Sequence, residues 1–298
     1  MSKIEFAQEY PWLNVTTTLE QYIDPEYYDK ILKDYTFNGR HDLDYLKEWA
    51  ENLPTHNKAL ELGPGSGRAT SVMLHAIERI DSLTLVDLSK RMLEWCRKKF
   101  EGNGHMTYVN ADAIDFLLNT QDDYDFVYCL WSFSHSVHQN LKKLGMAEGK
   151  KKVREGVSRL LTTNLNKGGS FFLLHFDSLS EEQRISIQQR KRDNPVFQNS
   201  DNQSPSKLIL DGLLDELAEK NRIRFTCEHF IGETIEFKSL NEALEYYCNF
   251  HMESHFNTSE DAGSVLEGLL NDLKKYTDSK GVIRVKPGCF IYKVERID

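Results

Sequence analysis

Two histidines three residues apart, His135 and His138, stand in WSFSHSVHQN directly after the apolar run YDFVYCL. A neutral imidazole, with an ordinary pKa near 6.5, can take a proton from an amine or hydroxyl nucleophile close to neutral pH. The same spacing is also that of a metal pair, and His138 could simply begin a helix; no further His or Cys lies at ligand spacing, so no metal is expected. Three carboxylates occupy matching places beside other apolar runs: Glu61 in ALELGPGSG, Asp87 in SLTLVDL and Asp112 in MTYVNADA. In the first of these, Gly63, Gly65 and Gly67 alternate with Pro64 and Ser66, a turn with no Cβ to keep a ligand off the backbone. A dinucleotide loop, G-x-G-x-x-G, would need glycine at position 68, where Arg68 stands. Asp87 follows Gly63 by 24 positions (63 to 87) at the end of an apolar run, where a carboxylate can accept both hydroxyls of a ribose and disfavours a 2′-phosphate. Asp112, followed by Ala113, offers an acceptor for an exocyclic adenine amino group.

These residues need a frame that brings strand ends together. KALELG, SLTLVDL, MTYVNADA, YDFVYCLW and GSFFLLHF read as five buried strands. Between them lie amphipathic stretches: Ala69, Val72, Met73, Ala76, Ile77 and Ile80 on one stripe, then Met92, Leu93, Cys96 and Phe100 behind an N-cap at Ser89. IDFLLN is a short helix, and a long helical tract runs from about Val137 to Leu165. Such alternation predicts right-handed crossovers and a parallel sheet covered on both faces, with ligands at the carboxyl ends of the strands. Residues 1–56 hold many aromatics, with helical spacing at Tyr28, Ile31, Leu32 and Tyr35, and read as an N-terminal helical lid. Residues 57–176 are the ligand-binding core. Residues 177–298 read as a helical wall plus closing strands: two polar helices near 180–192 and 206–220, then a strand pair at 223–237 and 282–296 with helices from about 239 to 276 between.

Composition narrows the function classes. The chain has 298 residues, 40% hydrophobic and 28% charged, with a formal charge of −9, which disfavours a nucleic-acid partner. The basic runs Lys142 and Lys143, Lys150 to Lys152, and Arg190 to Arg192 read as solvated helix faces. The five cysteines, Cys96, Cys129, Cys227, Cys248 and Cys289, show no CxxC spacing and read as reduced, buried thiols. Without an apolar leader or a long apolar run, the expectation is a cytoplasmic chain acting on a small molecule, with no membrane partner and a homodimer left open.

E-L-G-x-G-x-G, then V-D-L, then N-A-D-A, over residues 57–176, together resemble the cofactor site of the class I S-adenosylmethionine-dependent methyltransferases. The resemblance implies a Rossmann-like α/β fold: a seven-stranded, mostly parallel sheet with helices on both faces and a reversed last pair of strands, with helical insertions before and between them. It implies S-adenosylmethionine as cofactor, with Glu61, Gly63, Pro64, Gly65 and Gly67 along its methionine and ribose parts. Asp87 would bind the ribose, Leu88 and Met92 border the adenine, Asp112 and Ala113 meet its amino edge, and Leu130 and Trp131 lie beside the methionine. Tyr35 and Arg40 in YTFNGR resemble residues that hold the cofactor carboxylate.

The segment after the fourth strand is similar to that of sugar-amine N-methyltransferases, which implies a histidine base there, His135 ahead of His138. LNEALEYYCNFHMESHF resembles the C-terminal layout of histamine N-methyltransferase, which implies an added pocket wall; Tyr246, Tyr247, Phe250, His251 and His255 are its candidate lining. The expected activity is N-methylation of a small polar amine. An O-methyltransferase, a non-catalytic cofactor-binding subunit and an aminopropyl transferase remain as alternatives, although the last wants acidic residues after the fourth strand, and WSFSHS has none.

Overall fold

A computed structural model describes residues 8–10, 25–54, 57–77, 80–192, 195–198, 203–252 and 262–298. Seven strands build the central sheet: β1 (Asn57–Leu62), β2 (Ile80–Asp87), β3 (Met106–Asn110), β4 (Tyr124–Leu130), β5 (Leu165–Phe176), β6 (Ile223–Ile231) and β7 (Gly288–Arg296). Their spatial order is β3-β2-β1-β4-β5-β7-β6. Strands β1 to β5 run parallel. Strand β7 inserts antiparallel between β5 and β6, with Ile291 opposite both Leu174 and Glu228. Chain order reverses direction between β1 and β4, so the exits of β1, β2 and β4 converge on one crevice, the place where an open parallel sheet takes ligands.

The helices in chain order are α1 (Pro25–Leu32), α2 (Asp42–Ala50), α3 (Arg68–Ala76), α4 (Lys90–Lys99), α5 (Ala113–Asn119), α6 (Phe133–Leu144), α7 (Met146–Arg159), α8 (Glu181–Arg190), α9 (Pro205–Glu219), α10 (Leu240–Tyr246) and α11 (Ala262–Lys274). Period-two alternation sends neighbouring strand residues to opposite cores. Ala59, Leu85, Phe126, Tyr128, Phe172 and Leu174 face one core, closed by α1 to α4, α10 and α11. Leu60, Leu62, Val86, Val127, Cys129, Phe171 and Leu173 face the other, closed by α5, α6, α7 and α9.

Several sequence expectations change. The long helical tract is two helices, because Gly145 adopts φ 80°, ψ 164° between them; a π-helical turn at Leu160–Asn164 then leads into β5, which starts at Leu165 rather than Gly169. Ile80 opens β2 instead of closing a helix. The run 223–237 is not one strand: Ile235–Phe237 pairs with Ile283–Val285 in a separate small sheet. Pro287 lacks an N–H and interrupts the partner run between Val285 and Gly288, and Gly232 makes the corresponding break by donating to the Pro287 carbonyl. Helix α9 is not polar, since Ile209, Leu210, Leu213, Leu214 and Leu217 are buried. Cys227 is exposed, unlike the other four cysteines. Among the described residues, no helix is long and apolar enough to cross a membrane, and no group of three His, Cys, Asp or Glu side chains could hold a metal.

Candidate functional site

The crevice holds a cavity of about 330 Å³, within the size range of small-ligand sites. Its floor is the glycine turn after β1. Gly63 (φ 75°) donates its N–H to the Val86 carbonyl, and a Cβ at this position would collide with the Ser132 side chain. Gly67 (φ 76°) is the N-cap of α3. Lys99 at the end of α4 donates to the Ser66 carbonyl at 2.9 Å and the Gly67 carbonyl at 3.3 Å. Ser66 donates to Asp29 of α1, so that helix is tied to the turn.

Glu61, the strand residue before the turn, is buried and accepts from Thr70 Oγ1 at 2.5 Å and Tyr128 Oη at 2.8 Å. Burial pushes its carboxyl up to about 7, against the pull of those two donors. At the exit of β2, Asp87 Oδ1 accepts from Ser89 N–H at 2.7 Å and Oδ2 from Gly65 N–H at 3.3 Å. Burial raises Asp87 to about 6 despite both donors. Around it Val86, Leu88, Met92, Ala111 and Ala113 line an apolar slot; Leu88 is 50% exposed, unusual for a leucine at a strand end and suited to the face of a flat ring.

One wall of the cavity is fixed by a buried carboxylate that sequence reading overlooked. Asp42, the first residue of α2, is fully buried and takes Arg68 bidentately, at 3.0 Å from Nη1 and 2.9 Å from Nη2. It also accepts from Trp131 Nε1 at 2.8 Å. Trp131 has φ 63°, a costly conformation for a bulky residue, pinned by this bond and by its N–H to the Leu174 carbonyl. Its ring meets Tyr35 edge-on at 5.5 Å, and Tyr35 meets Phe250 at 6.2 Å.

The far end is lined by His135, His138, Phe176, Gln183, Arg190, Phe250 and His251. Desolvation by the surrounding protein, followed by Arg190 and the rings of His251 and His175, pulls His135 down to about 4, a pull that solvent screens because the residue itself is exposed. Burial likewise drives His138 well down; its Nε2 lies 3.1 Å from Ser204 Oγ and its ring is edge-on to Phe197. Behind this end sits Glu182, 1% exposed, which accepts from Tyr35 Oη, Tyr246 Oη and, at 2.9 Å, His251 Nε2.

Of the residues singled out by sequence, Tyr35, Glu61, Gly63, Pro64, Gly65, Asp87, Leu88, Met92, Ala113, Leu130, Trp131, His135 and His138 line this one cavity. Three lie elsewhere. Arg40 follows a tight turn in which Asn38 and Gly39 both have positive φ, which sets it along α2; there it donates to Glu48 at 2.6 Å and covers the Tyr45 ring. Asp112 caps α5, its Oδ1 accepting from Ile114 and Asp115 N–H and from Asn140 Nδ2. Gly67 lies under the turn. From the candidate wall, Phe250 and His251 line the cavity, Tyr246 and Tyr247 are buried in the core, and His255 lies outside the described residues. Arg190 is a lining residue, not a solvated one, whereas Lys142, Lys143, Lys150 and Lys151 are exposed. Arg68 and Glu182 carried little signal: the first was notable only for not being glycine, and the second sits in a helix's first turn, where an acid ordinarily serves the dipole.

A family model described as a methyltransferase domain matches residues 59–156. Ribosomal RNA small subunit methyltransferase A of Fusobacterium nucleatum is 33% identical over 64 residues, 22% of this chain and 23% of that protein. Ribosomal RNA large subunit methyltransferase K/L of Vibrio cholerae is 39% identical over 51 residues, 16% of this chain and 7% of that protein. The chain thus spans less than a quarter of the length of these curated relatives. Among solved structures, a Bacillus halodurans protein assigned as a methyltransferase superimposes with TM-score 0.51 at 18% identity, covering 85% of this chain and 98% of that one. That likeness speaks to the fold alone. Residues 59–156 are therefore similar to a methyltransferase domain, in a chain whose fold is like that of the Bacillus halodurans protein.

Proposed function

We propose that the chain binds S-adenosylmethionine in this cavity and methylates a small polar molecule, at an amine nitrogen, with a histidine of the cavity wall as general base. One observation carries the reading: the Asp87 carboxylate, the Gly63 to Gly65 backbone and three histidines line a single continuous cavity. The residues present suit the cofactor. Asp87 offers a carboxylate for two ribose hydroxyls, Leu88 and Met92 border a slot for adenine, and Arg68, rather than Arg40, is the lining cation next to the glycine turn. The cofactor supplies an electrophilic methyl on a sulfonium. The chain positions the acceptor against it and keeps water out, which is most of what an in-line displacement needs.

A small acceptor is favoured by the cavity's aromatic and helical wall, Phe176, Phe250 and α8, and by the −9 charge. The two curated relatives are named for ribosomal RNA, but each aligned segment covers 64 residues or fewer, less than a quarter of this chain. In this reading the chain works in the cytoplasm. The test is labelled-methyl transfer from S-adenosylmethionine into a protein-free extract that holds both small molecules and RNA, with mass spectrometry of the product. An N-methylated small molecule is expected. Label entering only RNA, or only oxygen, would overturn the acceptor assignment.

A further inference from the structure

His251 lines the acceptor end of the cavity and is itself buried. Its Nε2 lies 2.9 Å from Glu182 Oε1. A carboxylate only accepts here, so Nε2 carries the hydrogen and Nδ1 keeps its lone pair. Nδ1 lies 3.4 Å from the side-chain amide nitrogen of Gln183, a second cavity-lining group and a long, weak contact that an incoming N–H can replace. Glu182 is held in turn by Tyr35 and Tyr246, and the Tyr247 hydroxyl donates to its backbone carbonyl at 3.2 Å. This is the arrangement in which a buried carboxylate fixes the tautomer of an imidazole and stabilises the imidazolium that forms when it takes a proton.

We propose that His251, oriented by Glu182, is the base that takes the proton from the acceptor nitrogen. The proposal rests on the amine-methylation reading above and deepens it. In the step, the nitrogen lone pair forms the new N–C bond as the S–C pair returns to sulfur, and the N–H proton passes to His251 Nδ1. Glu182 is a positioning residue. The groups facing His251 are Glu182 and Gln183 of α8, Tyr35, Tyr246, Tyr247, His135, and Arg190, which donates to the His251 carbonyl. His135 meets a different field, since the standing charge that acts on it most is the cation of Arg190. Cationic neighbours oppose taking up a proton, whereas Glu182 favours it at His251.

Two measurements test the assignment. In the first, imidazole nitrogen NMR of the wild-type chain without acceptor should show His251 as the Nε2–H tautomer above neutral pH; the Nδ1–H tautomer would overturn the proposal. In the second, wild type, His251→Gly and Glu182→Gln are given labelled S-adenosylmethionine and the same extract across pH 6 to 9. Folding is checked by S-adenosylhomocysteine affinity. His251→Gly should lose roughly 100-fold or more of the transfer, the lower range of a general-base contribution, and recover part of it with added imidazole. Glu182→Gln, which takes the carboxylate's charge away from the imidazolium, should move the acidic limb of the pH profile to lower pH. Full transfer by a folded His251→Gly overturns the base assignment alone. No transfer by wild type overturns the amine-methylation reading and the proposal together.

Discussion

Asp42 and Arg68 meet as a fork inside the protein, two N–H···O bonds of 3.0 and 2.9 Å, with the carboxylate fully buried. The pair joins the start of α2 to the start of α3 and, through Trp131 Nε1, to the exit of β4. Removing one partner strands a charge, and a broken buried pair typically costs about 3–5 kcal/mol. Asp42→Ala should lower the unfolding free energy by about that amount in urea titration, while Asp42→Asn, which keeps an acceptor for Trp131, should cost less.

Arg68 also presents to the cavity what Arg40 was expected to present. Arg68→Met should weaken S-adenosylhomocysteine about tenfold, roughly 1.4 kcal/mol, yet leave methylthioadenosine, which lacks the aminoacyl carboxylate, nearly unchanged. Equal losses for both ligands by calorimetry would show that Arg68 does not read the carboxylate.

Gly63→Ala combines an unfavourable φ of 75° with a collision at Ser132, whose Oγ is committed to the Leu62 carbonyl at 2.7 Å. Strain and overpacking of this kind cost about 1–3 kcal/mol. Thermal unfolding should show the loss, with cofactor-analogue binding weakened in parallel.

The two cavity carboxyls make binding depend on pH. Asp87 is raised from 3.8 to about 6 and Glu61 from 4.5 to about 7, by burial in each case. Below those values the unliganded fold holds protons that the unfolded chain has already released. Their contribution to stability is therefore present at low pH and lost as pH rises from about 4 to about 7. Ribose hydroxyls favour the ionised Asp87, so affinity for S-adenosylhomocysteine should rise through pH 6 and level off above 7. Calorimetry in buffers of different ionisation enthalpy should detect proton release at pH 5.5 and little at pH 8.

Much of this architecture was legible because period and punctuation are local. Apolar runs, the glycine spacing and the strand-end positions of Asp87 and Trp131 predicted a parallel sheet with a crevice at its strand ends, and many of the residues that line it. Arg40 and Asp112 departed because side-chain direction is set by contacts that residue type does not record: a tight turn aligned Arg40 with Glu48, and cap geometry engaged Asp112. Glu182 and His251 were missed as a pair because they lie 69 positions apart and meet only when α8 packs against the turn after α10. The breaks at Gly145 and Gly232 were visible as glycines, but only the tertiary partner decides whether a glycine bends a helix, ends a strand or does neither.

Calorimetric titration of S-adenosylhomocysteine into wild type and Asp87→Ala tests the central claim most directly. Wild type should bind one ligand per chain, and Asp87→Ala should bind at least about tenfold more weakly, the loss of roughly one hydrogen bond to a charged group. Unchanged affinity in Asp87→Ala, or a wild type that binds NAD in place of S-adenosylhomocysteine, would contradict the account.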